Sequence, residues 1–292
     1  MHGNWMRLRQ ALSSRTPAAA PFVKWAGGKT QLLHELDAHV PEQFERYFEP
    51  FLGGGAFFFR LASTRRFSAY LSDANPELVN AYRVVKSDVG GLIWILENHE
   101  RGYRKDPTSF YYGLRSSRPG GRVGRAARLI ALNKTCYNGL YRVNRSGEFN
   151  VPMGRYRNPK ICDVEQLRSC SAALNYTNAQ IIACDYKQAL RKARQGDVIY
   201  LDPPFHPLNP TASFVDYTPN GFGQKDQAEL ARVFKDLDRK KCRVLLSNSD
   251  TNLTRDLYLG FPRRSVTVNR AISCKGSLRT GYSELLVRNF EK

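Results

Sequence analysis

The chain has 292 residues, long enough to bury a substantial core and to form one domain with a large insertion. Its 45 Lys and Arg against 26 Asp and Glu give a formal net charge of +19 at pH 7, an imbalance that points to a polyanionic partner. The longest apolar runs are only of strand length and the N-terminus lacks a signal peptide's apolar stretch. Neither a membrane span nor secretion is therefore indicated. Cys136, Cys162, Cys170, Cys184, Cys242 and Cys274 form no C-x-x-C pair and have no histidine at zinc spacing. They read as reduced thiols of a cytoplasmic protein, with no metal site.

Residues 1–20 mix Arg, Ser, Ala and Pro without periodicity and read as a loose extension, a basic arm able to touch a polyanion weakly. Next comes Phe22-Val23-Lys24-Trp25-Ala26-Gly27-Gly28-Lys29. Trp25 in it is either a core residue or part of a loop whose lysines close on an anionic or carboxylate-bearing ligand. A strand at 47–49 runs through Pro50-Phe51-Leu52 into the triplet Gly53-Gly54-Gly55 and a helix at 55–63. Such a turn is either a tight connection alone or a place where backbone approaches a nucleotide-like ligand at a sheet's carboxyl edge. The second strand, 69–72, ends at Asp73, about 20 positions further on, where a ribose hydroxyl needs an acceptor. Together the two features predict an adenosine-containing cofactor. No Gly-Lys-Ser/Thr follows the glycines, which disfavours ATP.

An insertion of several helices (77–86, 89–97 and 123–133) and a β-hairpin (140–156) interrupts the pattern over residues 76–172. Residues 101–160 carry fourteen Lys and Arg against only Asp106 and Glu148. Phe110, Tyr111, Tyr112, Tyr137, Tyr141, Phe149 and Tyr156 are interleaved with this charge. Cations for phosphates with rings for bases form a nucleic-acid footprint.

Strands resume at 181–184, 198–201, 243–247, 264–268 and 284–288, with helices at 186–192 and 224–239. Seven strands alternating with helices predict an α/β, mainly parallel, doubly wound sheet. The Gly-, Ser- and Lys/Arg-rich link at 269–282 needs no crossover helix, so the last two strands should form an antiparallel pair at one edge.

After the fourth strand comes Asp202-Pro203-Pro204-Phe205. Asp-Pro-Pro can serve merely to stop a strand. Its chemical potential lies elsewhere. A carboxylate and a backbone carbonyl at a strand end can accept both protons of an exocyclic amine, favouring a tetrahedral nitrogen aimed at a methyl donor. The prolines stiffen the turn, and the ring can stack on a base taken out of a duplex.

In this order, Phe-Val-Lys-Trp-Ala-Gly-Gly-Lys, Glu-Pro-Phe-x-Gly-x-Gly, Ser-Asp-x-Asn, a basic insertion and Asp-Pro-Pro-aromatic, the chain from about Phe22 onward resembles the DNA adenine methylase (Dam) family. Further matches are 137–142, 147–156, Pro207-Leu208, 211–214 and 246–251. The resemblance implies a Rossmann-like methyltransferase fold and S-adenosyl-L-methionine as cofactor. Residues 21–75 and 173–292 would be catalytic, and 76–172 a target-recognition insertion. It implies N6 methylation of adenine in double-stranded DNA, in GATC, by a DNA-associated cytoplasmic enzyme that is a monomer in solution. Asp202, Pro203, Pro204 and Phe205 match the catalytic turn. Trp25, Lys29, Phe51, Gly53, Gly55, Asp73, Asp185, Tyr186 and again Asp202 match the cofactor site.

For DNA the resemblance assigns Tyr137 and Asn138 beside the flipped adenine. Leu140, Arg142 and Pro152 match readers of the outer base pairs, and Lys24 and Tyr156 match contacts nearer the first ones. Arg155, with Arg145 and Arg157, is expected at phosphates. Leu140 and Tyr156 could equally pack the hairpin onto the helices. Two departures stand out: Phe205 replaces the family's usual tyrosine, so a hydroxyl is missing, and His206 replaces a small residue. Cytosine-N4 or RNA-adenine methylation, or a catalytically silent DNA-binding protein, are the alternatives. The intact cofactor loop, Asp73 and Asp202 argue against the silent binder, and an Asp where cytosine-N4 enzymes more often carry Ser argues against that chemistry. The sequence does not separate a restriction-modification partner from a regulatory or phage enzyme.

Overall fold

The structure is a computed structural model and describes residues 19–25, 27–205, 222–268 and 282–291. A helix α1 (Leu33–Ala38) leads into β1 (Arg46–Glu49), α2 (Ala56–Thr64) and β2 (Ser68–Asp73). Then come α3 (Pro76–Ser87), α4 (Val89–Lys105), α5 (Pro107–Ser116), α6 (Arg122–Thr135) and, beyond the hairpin, α7 (Val164–Tyr176). The second half runs β3 (Gln180–Ala183), α8 (Tyr186–Ala189), β4 (Val198–Leu201), α9 (Gln224–Arg239), β5 (Arg243–Ser249), α10 (Asn252–Leu257), β6 (Arg263–Val268) and β7 (Tyr282–Arg288).

All seven strands form one sheet in the order β3-β2-β1-β4-β5-β7-β6. The pairs β1–β2, β2–β3, β1–β4 and β4–β5 are parallel, and β7 runs antiparallel to both of its neighbours. The expected antiparallel pair is at the edge, but β7 lies inside it, between β5 and β6. The sheet is therefore a doubly wound, mainly parallel α/β sheet of the Rossmann-like kind. Strand order reverses between β1 and β4, the crevice where open α/β sheets bind ligands.

Alternation along the buried strands feeds two cores. On one face Val198, Tyr200 and Leu245 pack with α1 to α7; on the other Ile199, Leu201, Val244 and Leu246 pack with Leu230, Phe234 and Leu237 of α9. Leu78 of α3, Tyr111 of α5 and Ala127 of α6 belong to the first of these cores. The insertion thus shares its interior with the sheet.

Helix starts that period counting misses carry explicit caps. Asp106 accepts from the Ser109 N–H at 3.0 Å ahead of Pro107, and Asp163 caps α7 through the Gln166 N–H at 3.3 Å. Predicted helix 186–192 is one short α-turn followed by a 3-10 turn, 190–192. The hairpin is paired only by isolated bridges, Cys136 with Met153 and Val143 with Phe149. No helix among the described residues is long and apolar enough to cross a membrane. The five described cysteines form no disulfide. Residues 1–18, Ala26, His206, Pro207-Leu208, 211–214 and Cys274, with the link 269–281, lie outside the described residues.

Candidate active site and DNA face

The glycine turn after β1 is built by residues on three elements. Gly53 and Gly55 have φ of 48° and 66°, the left-handed region that penalises side chains. A Cβ on Gly53 would also lie 2.9 Å from Trp25 Cδ1, and one on Gly55 2.7 Å from the Tyr82 hydroxyl. Trp25 therefore lies against the turn, and Tyr82 donates to the Gly53 carbonyl at 3.1 Å. Asp73 closes the arrangement: its Oδ2 accepts from the Gly53 N–H and its Oδ1 from the Asn75 N–H, each at 2.9 Å. Burial pushes the Asp73 carboxyl above its usual value, while these two bonds pull it down. Each oxygen still has a lone pair to offer.

Phe51 stacks on Tyr186 with centroids 5.2 Å apart, and Phe222 meets Phe51 edge-on at 6.0 Å. These rings line the side of the switch point toward α8. Asp185 is exposed and caps α8 through the Lys187 N–H at 2.8 Å.

At the end of β4, Lys29 binds the turn. Its Nζ is 2.9 Å from Asp202 Oδ1, 3.7 Å from Glu284 Oε2 and 2.8 Å from the Gly27 carbonyl, and lies 4.2 Å from the Phe205 ring centroid. Asp202 also accepts from Ser247 Oγ at 2.9 Å, and that oxygen is 2.9 Å from the Tyr200 hydroxyl. Burial raises the Asp202 carboxyl, with Lys29 and Ser247 opposing. Nearby, Glu49 accepts from the Tyr47 hydroxyl at 2.8 Å, and burial lifts its carboxyl to about 8. Pro203 is buried, and the Pro204 carbonyl accepts from Gln227 Nε2 at 2.9 Å.

The insertion reaches this edge through the segment before Lys29. Asn133 of α6 accepts from the Lys24 N–H and donates to the Lys24 carbonyl, both at 2.7 Å, and donates to the Gly139 carbonyl at 2.9 Å. Lys24 Nζ lies 4.0 Å over the Tyr156 ring, and Trp25 stacks on Tyr141 at 5.6 Å. Tyr137 is 46% exposed and Asn138, beside it, has φ of 53°, so the pair projects from the hairpin base. Arg142 is exposed, and its Nε donates to Asn150 Oδ1 at 2.7 Å across the hairpin. Pro152 and Arg155 are exposed as well. Leu140 packs against the core, and Tyr156 lies under Lys24 and against Gly154.

Two clusters thus bring together the sequence-derived candidates: Trp25, Gly53, Gly55 and Asp73 at the first turn, Lys29, Asp202 and Phe205 at the second. Sequence reasoning missed Tyr82, Phe222, Glu284, Gln227 and the role of Ser247. Only Gln227 carried a visible signal, as a polar residue in the apolar stripe of α9.

Comparison with known proteins converges on one family. The family model for D12 class N6 adenine-specific DNA methyltransferases matches residues 25–272. A type II methyltransferase of Lactococcus lactis subsp. cremoris, M1.LlaDCHI, is 42% identical over 276 residues, covering 92% of this chain and 95% of its own. M.MjaIII, a type II methyltransferase of Methanocaldococcus jannaschii, is 40% identical, with 92% and 99% covered. A DNA adenine methylase of Vibrio cholerae serotype O1 is 34% identical, with 91% and 94% covered.

Proposed function

The chain belongs to the D12 class of N6 adenine-specific DNA methyltransferases, and we propose that it methylates the adenine of GATC in double-stranded DNA after flipping that base out of the duplex. S-adenosyl-L-methionine is its methyl donor. The residues at the switch point suit that molecule: flat rings at Phe51, Tyr186 and Phe222, a carboxylate with spare lone pairs at Asp73, and Lys29 with Asp202 for charged ends. When bound it supplies an electrophilic methyl on a sulfonium sulfur.

In this reading the chain's own groups prepare the nucleophile. Adenine N6 is a poor nucleophile while its lone pair is conjugated with the ring. Asp202 and the Pro203 carbonyl accept its two hydrogens and draw the nitrogen toward tetrahedral geometry. As the N–C bond forms and the C–S bond breaks, nitrogen gains positive charge and a proton leaves past Asp202. The products are N6-methyladenine and S-adenosylhomocysteine. Phe205 offers the ring on which the extruded base stacks.

Residues 76–172 act as the target-recognition part and 21–75 with 173–292 as the catalytic part. The observation that carries this reading is the joint between them: Lys24 and Trp25, five and four residues ahead of Lys29, are bound to Asn133, Tyr141 and Tyr156. The basic hairpin is thereby held beside the carboxyl edge where Asp202 stands. Tyr137 and Asn138 project as a wedge, Arg142 addresses a guanine, and Leu140 and Pro152 address thymine methyls from the major groove. Arg155 takes a phosphate. The working unit is a monomer on DNA in the cytoplasm.

Two experiments test it. DNA from expressing cells should resist a nuclease blocked by GATC adenine methylation and yield to one indifferent to it; cleavage by both would refute the GATC assignment. Asp202→Ala should abolish transfer while DNA binding, which comes mostly from phosphates, persists. Near-normal turnover by that variant would remove Asp202 from catalysis.

A further inference from the structure

Gln227 is the polar member of the buried stripe of α9, whose other positions are Leu230, Ala231, Phe234 and Leu237. A fully buried amide is costly unless both its ends are paired. Both are. Nε2 donates to the Pro204 carbonyl at 2.9 Å, and Oε1 accepts from Asn248 Nδ2 at 2.8 Å. The direction of this relay follows from its ends. The Pro204 carbonyl can only accept, so Nε2 must face it; at the other end the Ser249 N–H donates to Asn248 Oδ1 at 2.8 Å, which turns the Asn248 amide toward Gln227.

Successive residues of a strand face opposite sides, and β5 uses this to hold the turn twice. Ser247, on the insertion side, donates to Asp202. Asn248, on the α9 side, acts through Gln227 on Pro204. The need for such grips is chemical. Pro203 and Pro204 have no N–H, so no backbone donor within the pair can tie the turn to the sheet. Acceptors are what the turn offers, and side-chain donors must find them. The Pro204 ring fixes one of the two dihedrals that relate its carbonyl to that of Pro203, so pinning the Pro204 carbonyl restricts the Pro203 carbonyl before it and the backbone leading into Phe205 after it.

We infer that Gln227 is a positioning residue for methyl transfer: anchored by Asn248, it fixes the Pro204 carbonyl and thereby aims the Pro203 carbonyl and the Phe205 ring at the target base. The inference rests on the assignment of Asp202 to Phe205 as the catalytic turn. Its test uses the full chain, a GATC duplex and S-adenosylmethionine under single-turnover conditions at saturating concentrations. Gln227→Met keeps side-chain volume and removes both hydrogen bonds. It should slow transfer about tenfold or more, the scale of a small misplacement of reacting groups, while DNA affinity changes less than about twofold.

Gln227→Glu gives a signature that packing cannot mimic. Its carboxylate can accept from Asn248 but can donate to Pro204 only when protonated. The rate of this variant relative to the parent should therefore climb as pH falls from about 9 to about 6. Should the Met variant fail to fold, that ratio decides alone. A pH-independent ratio, or a rate within about twofold of the parent for both variants, overturns the positioning role. Asp202→Ala distinguishes the two levels: retained turnover there refutes the catalytic turn itself, whereas loss there with normal Gln227 variants refutes only the present inference.

Discussion

Glu49→Gln should flatten the pH dependence of stability. Tyr47 and Glu49 lie two apart on β1 and so share a face, which lets the Tyr47 hydroxyl donate to Glu49 Oε2 inside the core. Burial dominates nonetheless, and the folded chain holds the Glu49 proton up to about 8 against an ordinary 4.5. The unfolded chain releases that proton near its ordinary value. Between the two values the folded state binds more protons, so stability falls as pH rises, and the full loss is reached above about 8. The displacement corresponds to about 5 kcal/mol, a large share of a domain's stability. Glutamine keeps an acceptor for Tyr47 and does not titrate. Asp73, also raised by burial, titrates in both proteins and cancels in the difference, whereas the nearby Asp202 charge is itself one of the causes that raise Glu49. Urea unfolding of parent and variant at a series of pH values should show the variant gaining on the parent by several kcal/mol between about pH 5 and pH 9. Parallel stability curves would refute a protonated Glu49 at neutral pH.

Substitutions at two residues address recognition and flipping. Arg142→Ala should relax discrimination at one outer guanine by about 1 to 3 kcal/mol, seen as increased methylation of duplexes altered at that base; an equal loss of affinity for all sequences would make Arg142 a phosphate contact. Phe205→Tyr should be nearly neutral and Phe205→Ala should cost about 1 to 3 kcal/mol, the range for stacking a base on an aromatic ring. Fluorescence of 2-aminopurine at the target position should report less extruded base in the alanine variant, and equal signal with equal turnover would take the ring out of the site.

The strands were legible because they are short apolar runs bounded by turns, and all seven were placed within about two residues. The turns at Gly53 to Gly55 and Asp202 to Phe205 were legible because glycine and proline fix backbone geometry locally. Helices α5, α7 and α10 were less so. Their boundaries depend on side-chain caps at Asp106, Asp163 and Thr251, which polar residues in loops also resemble. Leu140 and Tyr156 stood open between reading bases and packing, and both make packing contacts. What sequence could not show is pairing across distance: Ser247 with Asp202 and Asn248 with Gln227 arise only when the order β4-β5 brings these carboxyl ends together, and Tyr82 with the glycine turn only when α3 returns from β2 beside β1.

The placement of Lys29 links charge to chemistry in a way neither turn does alone. Its side chain is 4% exposed, and it is shared among Asp202, Glu284, the Gly27 carbonyl and the Phe205 ring. A buried carboxyl tends to take up a proton, and a protonated Asp202 would present a donor where an amine hydrogen needs an acceptor. Lys29 and Ser247 oppose that tendency. On the proposed reading, the same cation lies over the Phe205 ring on which the target base stacks, so one side chain contacts both the acceptor of the amine and the platform for the base.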